Sequence, residues 1–341
     1  MECKNGIYKM TTHNLKLIAE FCQNHNGDLN ILKDMVDAAA EGGATHAKIQ
    51  TIFADDLSFR PEFEEGRINK DGTVAVIKRP FQAEYDRLKG LELTYDQQSV
   101  FVELCRSAGM EPLTTAFNLT SIPMISDIGW TSVKVASYDC GSIPLIEELA
   151  NNFEELIIST GATYDNEIEA TAKFLNARDT KYTLLHCVTI YPTPLEAMHL
   201  NRLAYLRELC PSVGLSDHSM TTRDGVKADL VAIHLGADAI ERHFTVLPED
   251  QTRDGKVSIT KIHLRQMAEF AAMSYDEQAL YLTENVPEIT AMLGQRTRAL
   301  SDAEFLNRAY YRGRFCNKLD GRQVFNWEPM DLQKIGLKSL I

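Results

Sequence analysis

Eight short apolar runs, most of them separated by amphipathic stretches, are the feature that most constrains the fold of this chain. The runs are L-K-L-I-A-E (15–20), A-K-I-Q-T (47–51), E-P-L-T-T-A-F (111–117), S-V-K-V-A-S (132–137), L-I-I-S-T-G (156–161), Y-T-L-L-H-C-V (182–188), S-V-G-L-S-D-H (212–218) and A-I-E-R-H-F-T (239–245). Nearly continuous apolar strands that alternate with helices are typical of a parallel sheet. Eight such units over roughly 250 residues predict an α/β fold, the (β/α)8 TIM barrel, with a doubly wound open sheet as its main rival.

The stretches between these runs carry the apolar spacing of helices. We predict helices at 31–43, 96–109, 142–152 and 166–176, and a closing helix from Thr260 to about Leu282. We place the catalytic barrel at 14–285 and a C-terminal extension at 286–341. The charged segment 53–91 follows the second strand, so in a barrel it would lie on the face that carries active sites, as a lid or specificity loop.

The charge of the chain excludes some classes of partner. Lysine and arginine number 35 against 48 aspartates and glutamates, and the net charge of −13 would repel nucleic acid or an anionic membrane surface. A few lysines in a cleft could still bind an anionic small molecule. No segment reads as a membrane span or a signal peptide, and we expect a cytoplasmic protein. Reduced thiols are expected at the seven cysteines, which form no C-x-x-C pair: Cys3, Cys22, Cys105, Cys140, Cys187, Cys210 and Cys316.

Nearly every predicted strand ends in polar or ionisable side chains. They are Glu20, Lys48, Gln50, Thr114, Thr115, Lys134, Ser137, Ser159, Thr160, His186, Ser216, Asp217, His218, Glu241 and His243. In a (β/α)8 barrel the C-terminal ends of all strands lie on one face, where the active sites of this fold are built. We therefore predict that these side chains converge on one site.

Two histidines are candidate metal ligands. His218 and His243 end the seventh and eighth strands, which are neighbours, so their imidazoles could bind one divalent ion. Each could instead be a rim histidine that the backbone satisfies. Because no third nitrogen or sulfur ligand stands at a clear spacing, an open site for manganese or magnesium fits better than a closed zinc site.

Two lysines lie inside apolar strands. An unpaired ammonium is costly there, so Lys48 and Lys134 each need a carboxylate or a bound anion, and Glu20 is a candidate partner for one of them. In the second interpretation the lysines form a phosphate pocket with three hydroxyls, those of Ser137, Ser159 and Ser216. The sequence leaves both interpretations open.

Strand alternation orients the residues around the last strand end. Glu241 and His243 share one face, and Arg242 points toward the surrounding helices. Asp254 lies in T-R-D-G-K, where an aspartate commonly makes a turn and a site role is the alternative.

Five motifs occur in a fixed order along the chain. They are A-E-F-C-Q-N-H-N-G-D (19–28), A-K-I-Q-T (47–51), L-H-C-V-T-I-Y-P-T-P (185–194), G-L-S-D-H-S (214–219) and L-G-A-D-A-I-E-R-H-F-T (235–245). Together they resemble the sialic acid synthase family, which condenses phosphoenolpyruvate with an N-acetylated hexose, such as N-acetylmannosamine, into a nine-carbon 2-keto acid and phosphate. The resemblance implies a divalent ion, usually manganese with magnesium or cobalt as alternatives, that polarises the sugar aldehyde.

The resemblance also assigns roles, position by position. The metal ligands would be His218 and His243. Phosphoenolpyruvate would be held by Lys48, Lys134, Ser137, Ser159 and Ser216. Further pocket positions are Gln50, Thr115 and Tyr191, while Glu20 matches an acidic residue near the sugar and Asp254 a sugar-binding aspartate. Asp217 would orient the site.

Three positions depart from the family pattern. Asp139, in S-Y-D, stands where the family has a glutamate, so the proton transfer expected of a longer side chain would shift or be lost. Thr189 replaces an asparagine and removes an amide from the phosphate site. The loop T-R-D-G (252–255) replaces a family G-P-D near the sugar, which leaves the acceptor open.

The segment N-R-A-Y-Y-R-G-R-F-C-N-K-L-D-G-R-Q-V-F (307–325) resembles the start of an antifreeze-like domain. In the family that domain swaps across a homodimer and supplies an arginine to the partner's site. We expect a short extension instead and a homodimer without the swapped arginine, with Arg312 or Arg314 as candidate substitutes. Two other functions stay open: a metal-dependent aldol or C–O cleaving enzyme acting on a different aldehyde, and a non-catalytic sugar- or phosphoenolpyruvate-binding barrel.

Overall fold

A closed barrel of eight parallel strands forms the centre of the computed structural model, which describes residues 15–330. The barrel strands are β1 (Lys16–Cys22), β2 (His46–Thr51), β5 (Glu111–Ala116), β6 (Ser132–Val135), β7 (Glu155–Ser159), β8 (Lys181–Cys187), β9 (Val213–Asp217) and β10 (Ala239–His243). They pair in this order, and β10 pairs with β1 to close the barrel. Each lies at one predicted run, so the barrel prediction is confirmed. Cys3, Asn14 and residues 331–341 of the expected extension lie outside the described residues.

Two short hairpins and a set of helices complete the described chain. The hairpin strands are β3 (Arg67–Ile68), β4 (Val74–Val76), β11 (Asn317–Leu319) and β12 (Arg322–Val324). The helices are α1 (Leu29–Glu41), α2 (Glu62–Glu65), α3 (Phe81–Lys89), α4 (Tyr95–Ser107), α5 (Ile122–Ile128), α6 (Ile143–Asn152), α7 (Asp165–Ala177), α8 (Arg202–Leu209), α9 (Thr221–Asp224), α10 (Lys227–His234), α11 (Lys261–Ala271), α12 (Tyr275–Asn285), α13 (Ile289–Leu293) and α14 (Asp302–Tyr311). Within residues 15–330, no helix combines the length and the apolar character that a membrane crossing needs.

The prediction of one closing helix from Thr260 to Leu282 is wrong, because the helical segment is interrupted between α11 and α12. Ser274 caps the second helix: its hydroxyl accepts a hydrogen bond from the backbone N–H of Glu277, whose side chain accepts one from the N–H of Ser274. This reciprocal capping box starts a new helix even though the apolar spacing continues.

Side-chain alternation along the strands separates an apolar plug from a polar floor inside the barrel. The plug is one buried cluster of Ile18, Leu113, Ile157, Leu185 and Ala239. Two residues further along the same five strands stand Glu20, Thr115, Ser159, Cys187 and Glu241, which line a cavity. Because successive inward positions are two residues apart, the plug fills the barrel below and leaves the polar residues facing the open C-terminal end.

Two segments far apart in the chain pack together over that open end. We call residues 52–94 and 302–326 the roof. The N–H of Ser58 donates to the carbonyl of Arg314 (2.9 Å), and Leu57 pairs with Phe315 in an antiparallel bridge. The side chains of Leu57, Leu88 and Phe315 share one buried apolar cluster. The predicted lid segment therefore lies on the active face, and the C-terminal segment packs against it.

Candidate functional site

One cavity of about 500 Å³ opens at the C-terminal ends of the barrel strands. Three residues with predicted site roles, Thr189, Asp217 and Arg312, are absent from its lining. The lining contains the others, namely Glu20, Lys48, Gln50, Thr115, Lys134, Ser137, Asp139, Ser159, Tyr191, Ser216, His218, His243, Asp254 and Arg314. The strand ends therefore bring together residues that are far apart in the sequence.

Thr189 lies behind the cavity wall instead of lining it. The residue is fully buried, and a Cβ placed on Gly161 would meet its methyl carbon at 2.6 Å. Its carbonyl accepts a hydrogen bond from Asn307 of the roof (2.6 Å). The side chain thus packs against Gly161, while its backbone ties the roof to the barrel.

The expectation that all polar strand ends converge is also too broad. Four of the polar strand-end residues are absent from the cavity lining: Thr114, Thr160, His186 and Asp217. Each is next to a lining residue, so alternation turns its side chain outward. His186, for example, has Nε2 2.6 Å from the carbonyl oxygen of Met198. Arg242 also points outward, as predicted, and contacts Asp229 of α10.

The cavity floor holds two lysines that have carboxylate partners. The ammonium of Lys48 contacts Glu20, as predicted, and lies 3.7 Å from Glu241. Lys134 lies 3.6 Å from Glu241 and donates to Ser159 (2.6 Å). Glu241 therefore serves both lysines, a role that the sequence did not reveal. The floor is electrically balanced and rich in donors.

Burial sets the protonation of this floor. It lowers the pKa of Lys48 to about 7, with Lys134 adding to the effect and Glu241 opposing it. Burial alone would raise the pKa of Glu241, but Lys134 and Lys48 bring it below its usual value. Glu241 is thus an anion at neutral pH, and Lys48 is close to losing its proton.

The two predicted metal histidines face each other across neighbouring strands. The ring centroids of His218 and His243 are 5.2 Å apart. Burial lowers the pKa of both imidazoles, which keeps them neutral with lone pairs free for a metal. Nδ1 of His243 is buried without a hydrogen-bond partner among residues 15–330 and lies 3.6 Å from a carboxylate oxygen of Asp254. These residues fit a divalent cation.

A sulfur atom completes this group. Sγ of Cys22, a ring nitrogen of His243 and a carboxylate oxygen of Asp254 all lie within 4.8 Å of one another. Cys22 could not be identified from the sequence, because most of the barrel separates it along the chain from the other two residues and only the pairing of β1 with β10 brings them together.

Asp139 forms part of the cavity wall. Its Oδ1 accepts hydrogen bonds from the hydroxyl of Ser142 (2.9 Å) and from the amide of Asn326 (3.0 Å). Burial raises the pKa of Asp139 above its usual value even though both hydrogen bonds oppose this. The wall thus presents a carboxyl group that can hold or release a proton nearer to neutral pH.

Four arginines also line the cavity. They are Arg79, Arg87, Arg253 and Arg314. Glu84 is shared by two of them, since it pairs with Arg87 at 2.9 Å and contacts Arg314. Of these four, only Arg314 is a predicted candidate, through the resemblance of the segment 307–325. Their convergence gives a strongly acidic protein a local positive region.

Comparisons with known proteins point to one family. The model of the NeuB family matches residues 35–278. The N,N'-diacetyllegionaminic acid synthase of Legionella pneumophila is 30% identical over 87% of this chain and 78% of its own length. The pseudaminic acid synthase of Campylobacter jejuni is 27% identical over 89% of this chain and 81% of its own. A crystal structure of sialic acid synthetase from Leptospira borgpetersenii has a TM-score of 0.63 at 25% identity and covers 92% of this chain and 97% of that one.

Proposed function

Because this chain belongs to the NeuB family, we propose that it condenses phosphoenolpyruvate with an N-acetylated hexose, N-acetylmannosamine or a related acetamido sugar. The products would be a nine-carbon 2-keto acid and phosphate, which makes the protein an N-acetylneuraminate synthase-like transferase. The observation that carries the proposal is one cavity with two buried lysines on its floor and two neutral histidines at neighbouring strand ends.

The floor supplies the phosphoenolpyruvate end of the site. Lys48 and Lys134 would bind the phosphate and carboxylate, with hydroxyl donors from Thr115, Ser137, Ser159 and Ser216. Their partners Glu20 and Glu241 offset the free-energy cost of burying the two ammonium groups. The incoming trianion would then share the lysines with these carboxylates and bind by charge-assisted hydrogen bonds.

His218 and His243 would hold a divalent cation, with manganese as the first ion to test and magnesium or cobalt next. Bound there, such an ion would supply Lewis-acid polarisation of the aldehyde oxygen of the open-chain sugar. The neutral imidazoles can take that role without first losing a proton. Gln50 and Tyr191 line the remaining wall, and the Tyr191 ring lies edge-on to His218 at 4.2 Å.

The bond changes balance within this set of groups. The electron pair of the phosphoenolpyruvate double bond forms a bond from C3 to the aldehyde carbon, whose oxygen takes up a proton. Water adds to the cation left at C2 and gives up a proton, for which Asp139 is a candidate base, because it lines the cavity and burial raises its pKa. The C2–O bond to phosphate then breaks while the new C2 hydroxyl gives its proton to the departing phosphate, which leaves the keto group and inorganic phosphate.

The acceptor end lies toward the roof. Three of the four cavity arginines, Arg79, Arg87 and Arg314, belong to the roof, and Asp254 and Glu20 also line the cavity as candidate partners of sugar hydroxyls. Arginine forks can bind carbonyl or anionic groups of an acceptor through paired hydrogen bonds. A homodimer in the cytoplasm is part of the same proposal, and light scattering in solution tests the assembly.

Phosphate release tests this function. The purified chain is incubated with phosphoenolpyruvate, manganese and a panel that includes N-acetylmannosamine and a 6-deoxy diacetamido sugar, with and without chelator. We expect chelator-sensitive release with one sugar and a nine-carbon 2-keto acid by mass spectrometry. Release only with aldehydes that lack an acetamido group would replace the acceptor class. Tight binding of phosphoenolpyruvate with no turnover on any acceptor would point to a non-catalytic barrel.

A further inference from the structure

Cys22 stands at the histidine end of the cavity and belongs to no step of the proposed reaction. It ends β1, is buried and lines the cavity. Its Sγ forms a close group with a nitrogen of His243 and an oxygen of Asp254, all within 4.8 Å. Donor atoms that share one ion lie roughly 3–4 Å apart, given metal–ligand bonds of about 2.0–2.3 Å. Small rotations of three side chains would therefore place all three donors around one ion.

The backbone directs this sulfur into the cavity. The pairing of β1 with β2 shifts register between Glu20 and Cys22, and Cys22 has φ of +49°, a conformation that non-glycine residues seldom adopt. Phe21, one residue earlier, packs against Phe101 and Phe244 with ring centroids 5.9 and 5.7 Å away. The N–H of Phe244 donates to the carbonyl of Glu20 (2.7 Å). These contacts fix the end of β1 beside the end of β10.

A tight loop fixes the carboxylate. A Cβ on Gly255 would lie 1.9 Å from the carbonyl oxygen of Glu249, so only glycine allows the loop to close this tightly. The carbonyl of Asp254 accepts hydrogen bonds from the hydroxyl of Ser258 (2.8 Å) and from the N–H of Val257 (3.1 Å). The loop thereby holds the Asp254 carboxylate next to the ring of His243.

His243, which lies near both Cys22 and Asp254, has a ring nitrogen that is available to bind a metal ion. Nδ1 of His243 is buried, has no hydrogen-bond partner in the part of the chain that the structure describes, and lies 3.6 Å from Asp254 Oδ2. A buried polar atom without a partner is uncommon in native proteins and points to a missing ligand or ion. The group therefore contains an orphaned nitrogen, a thiol and a carboxylate, which are the donor types of transition-metal sites.

We propose that Cys22 is a thiolate ligand of the divalent cation, with His243 and Asp254, and that it shifts the preference of the site toward cobalt(II) or zinc. The proposal rests on the cation of the proposed function and is independent of the acceptor sugar. On binding, the thiol gives its proton to solvent, as coordinating thiols do. Thiolate ligands favour softer ions, whereas oxygen ligands suit manganese and magnesium.

Cobalt(II) binding to the metal-stripped full chain tests this directly, without substrates. We expect a sulfur-to-cobalt charge-transfer band in the near ultraviolet with the native chain, and its loss in Cys22→Ser. That variant should bind cobalt at least about 100-fold more weakly and lose less affinity for manganese. The matched control is Cys187→Ser, because Cys187 lines the same cavity with its Sγ 3.8 Å from His218 Nδ1.

Each outcome decides the matter. A charge-transfer band that persists in Cys187→Ser and vanishes in Cys22→Ser supports the proposal. A band that depends on Cys187, or cobalt binding to the native chain without any such band, overturns it and leaves the histidine cation site standing. No cobalt or manganese binding at all overturns both this proposal and the metal part of the function. If Cys22→Ser does not fold, the Cys187→Ser spectrum decides, because a band that persists there supports Cys22 and a band that vanishes there overturns the proposal.

Discussion

Arg242 and Asp217 occupy paired positions on neighbouring strands β10 and β9, and their side chains are in contact behind the cavity wall. Both side chains are completely buried. Asp217 also accepts hydrogen bonds from the N–H (2.8 Å) and the hydroxyl (2.7 Å) of Ser219. The ion pair lies on the outer side of the barrel and, with the Ser219 hydrogen bonds, fixes the turn that contains His218. This explains why an aspartate precedes this histidine.

Replacing Arg242 should destabilise the whole barrel. In Arg242→Met, Asp217 and Asp229 would remain buried without their counter-charge, and breaking a buried pair costs about 3–5 kcal/mol. Urea unfolding followed by circular dichroism measures the loss. The control is Lys33→Met, which removes an exposed pair with Asp37 and should leave the midpoint unchanged. Equal midpoints for Arg242→Met and the native chain would show that the buried pair carries no net stability.

Loss of either proposed metal ligand, His218 or His243, should strongly reduce chelator-sensitive turnover. His218→Ala and His243→Ala each remove a proposed ligand, and we expect phosphate release to fall by at least about 100-fold. His234→Ala serves as the control, since His234 lies on α10 and stacks on Tyr275. Full metal-dependent turnover in His218→Ala would refute its assignment as a ligand.

The pH dependence should report Lys48. Its pKa is lowered to about 7, so below that pH the ammonium attracts phosphoenolpyruvate, and above it the neutral amine does not. We therefore expect kcat/KM for phosphoenolpyruvate to fall as the pH rises through about 7. Lys48→Arg keeps its charge over this range and should remove the fall, although its larger head group will lower the plateau. A native profile that stays flat up to pH 9 would contradict the prediction.

Arg314 should matter more for the acceptor than for phosphoenolpyruvate. Arg314 belongs to the roof. When Arg314 is replaced, Glu84 still has Arg87 as an ion-pair partner. We expect Arg314→Ala to raise KM for the acceptor by about 10-fold, the equivalent of one charge-assisted hydrogen bond, with a smaller change for phosphoenolpyruvate. Arg322→Ala, an exposed arginine on β12, is the control. A larger effect on phosphoenolpyruvate would move Arg314 to the other end of the site.

The sequence predicted the parts of this protein that local periodicity encodes. Apolar runs located all eight barrel strands, and their order along one face placed Lys48, Lys134, His218 and His243 in one cavity. Alternation also gave the outward direction of Arg242. These features are determined by the sequence pattern within a few residues of each position.

The rest depends on contacts between distant segments. Glu241 could not be identified as the shared partner of both lysines before the register of β10 was known. Cys22 and the arginines of the roof carry no spacing that marks them. The break at Ser274, by contrast, has a local signal, since Ser274 and Glu277 form the S-x-x-E pattern of a capping box.

The roof has a consequence for how the protein folds. Its contacts join residues about 250 positions apart, such as Ser58 and Gly313 with a sequence separation of 255. Contacts of such high order form late, because the intervening chain must be organised first. We expect the barrel to collapse around its floor while residues 302–326 are still undocked, so that refolding chains recover tertiary structure before they recover acceptor affinity.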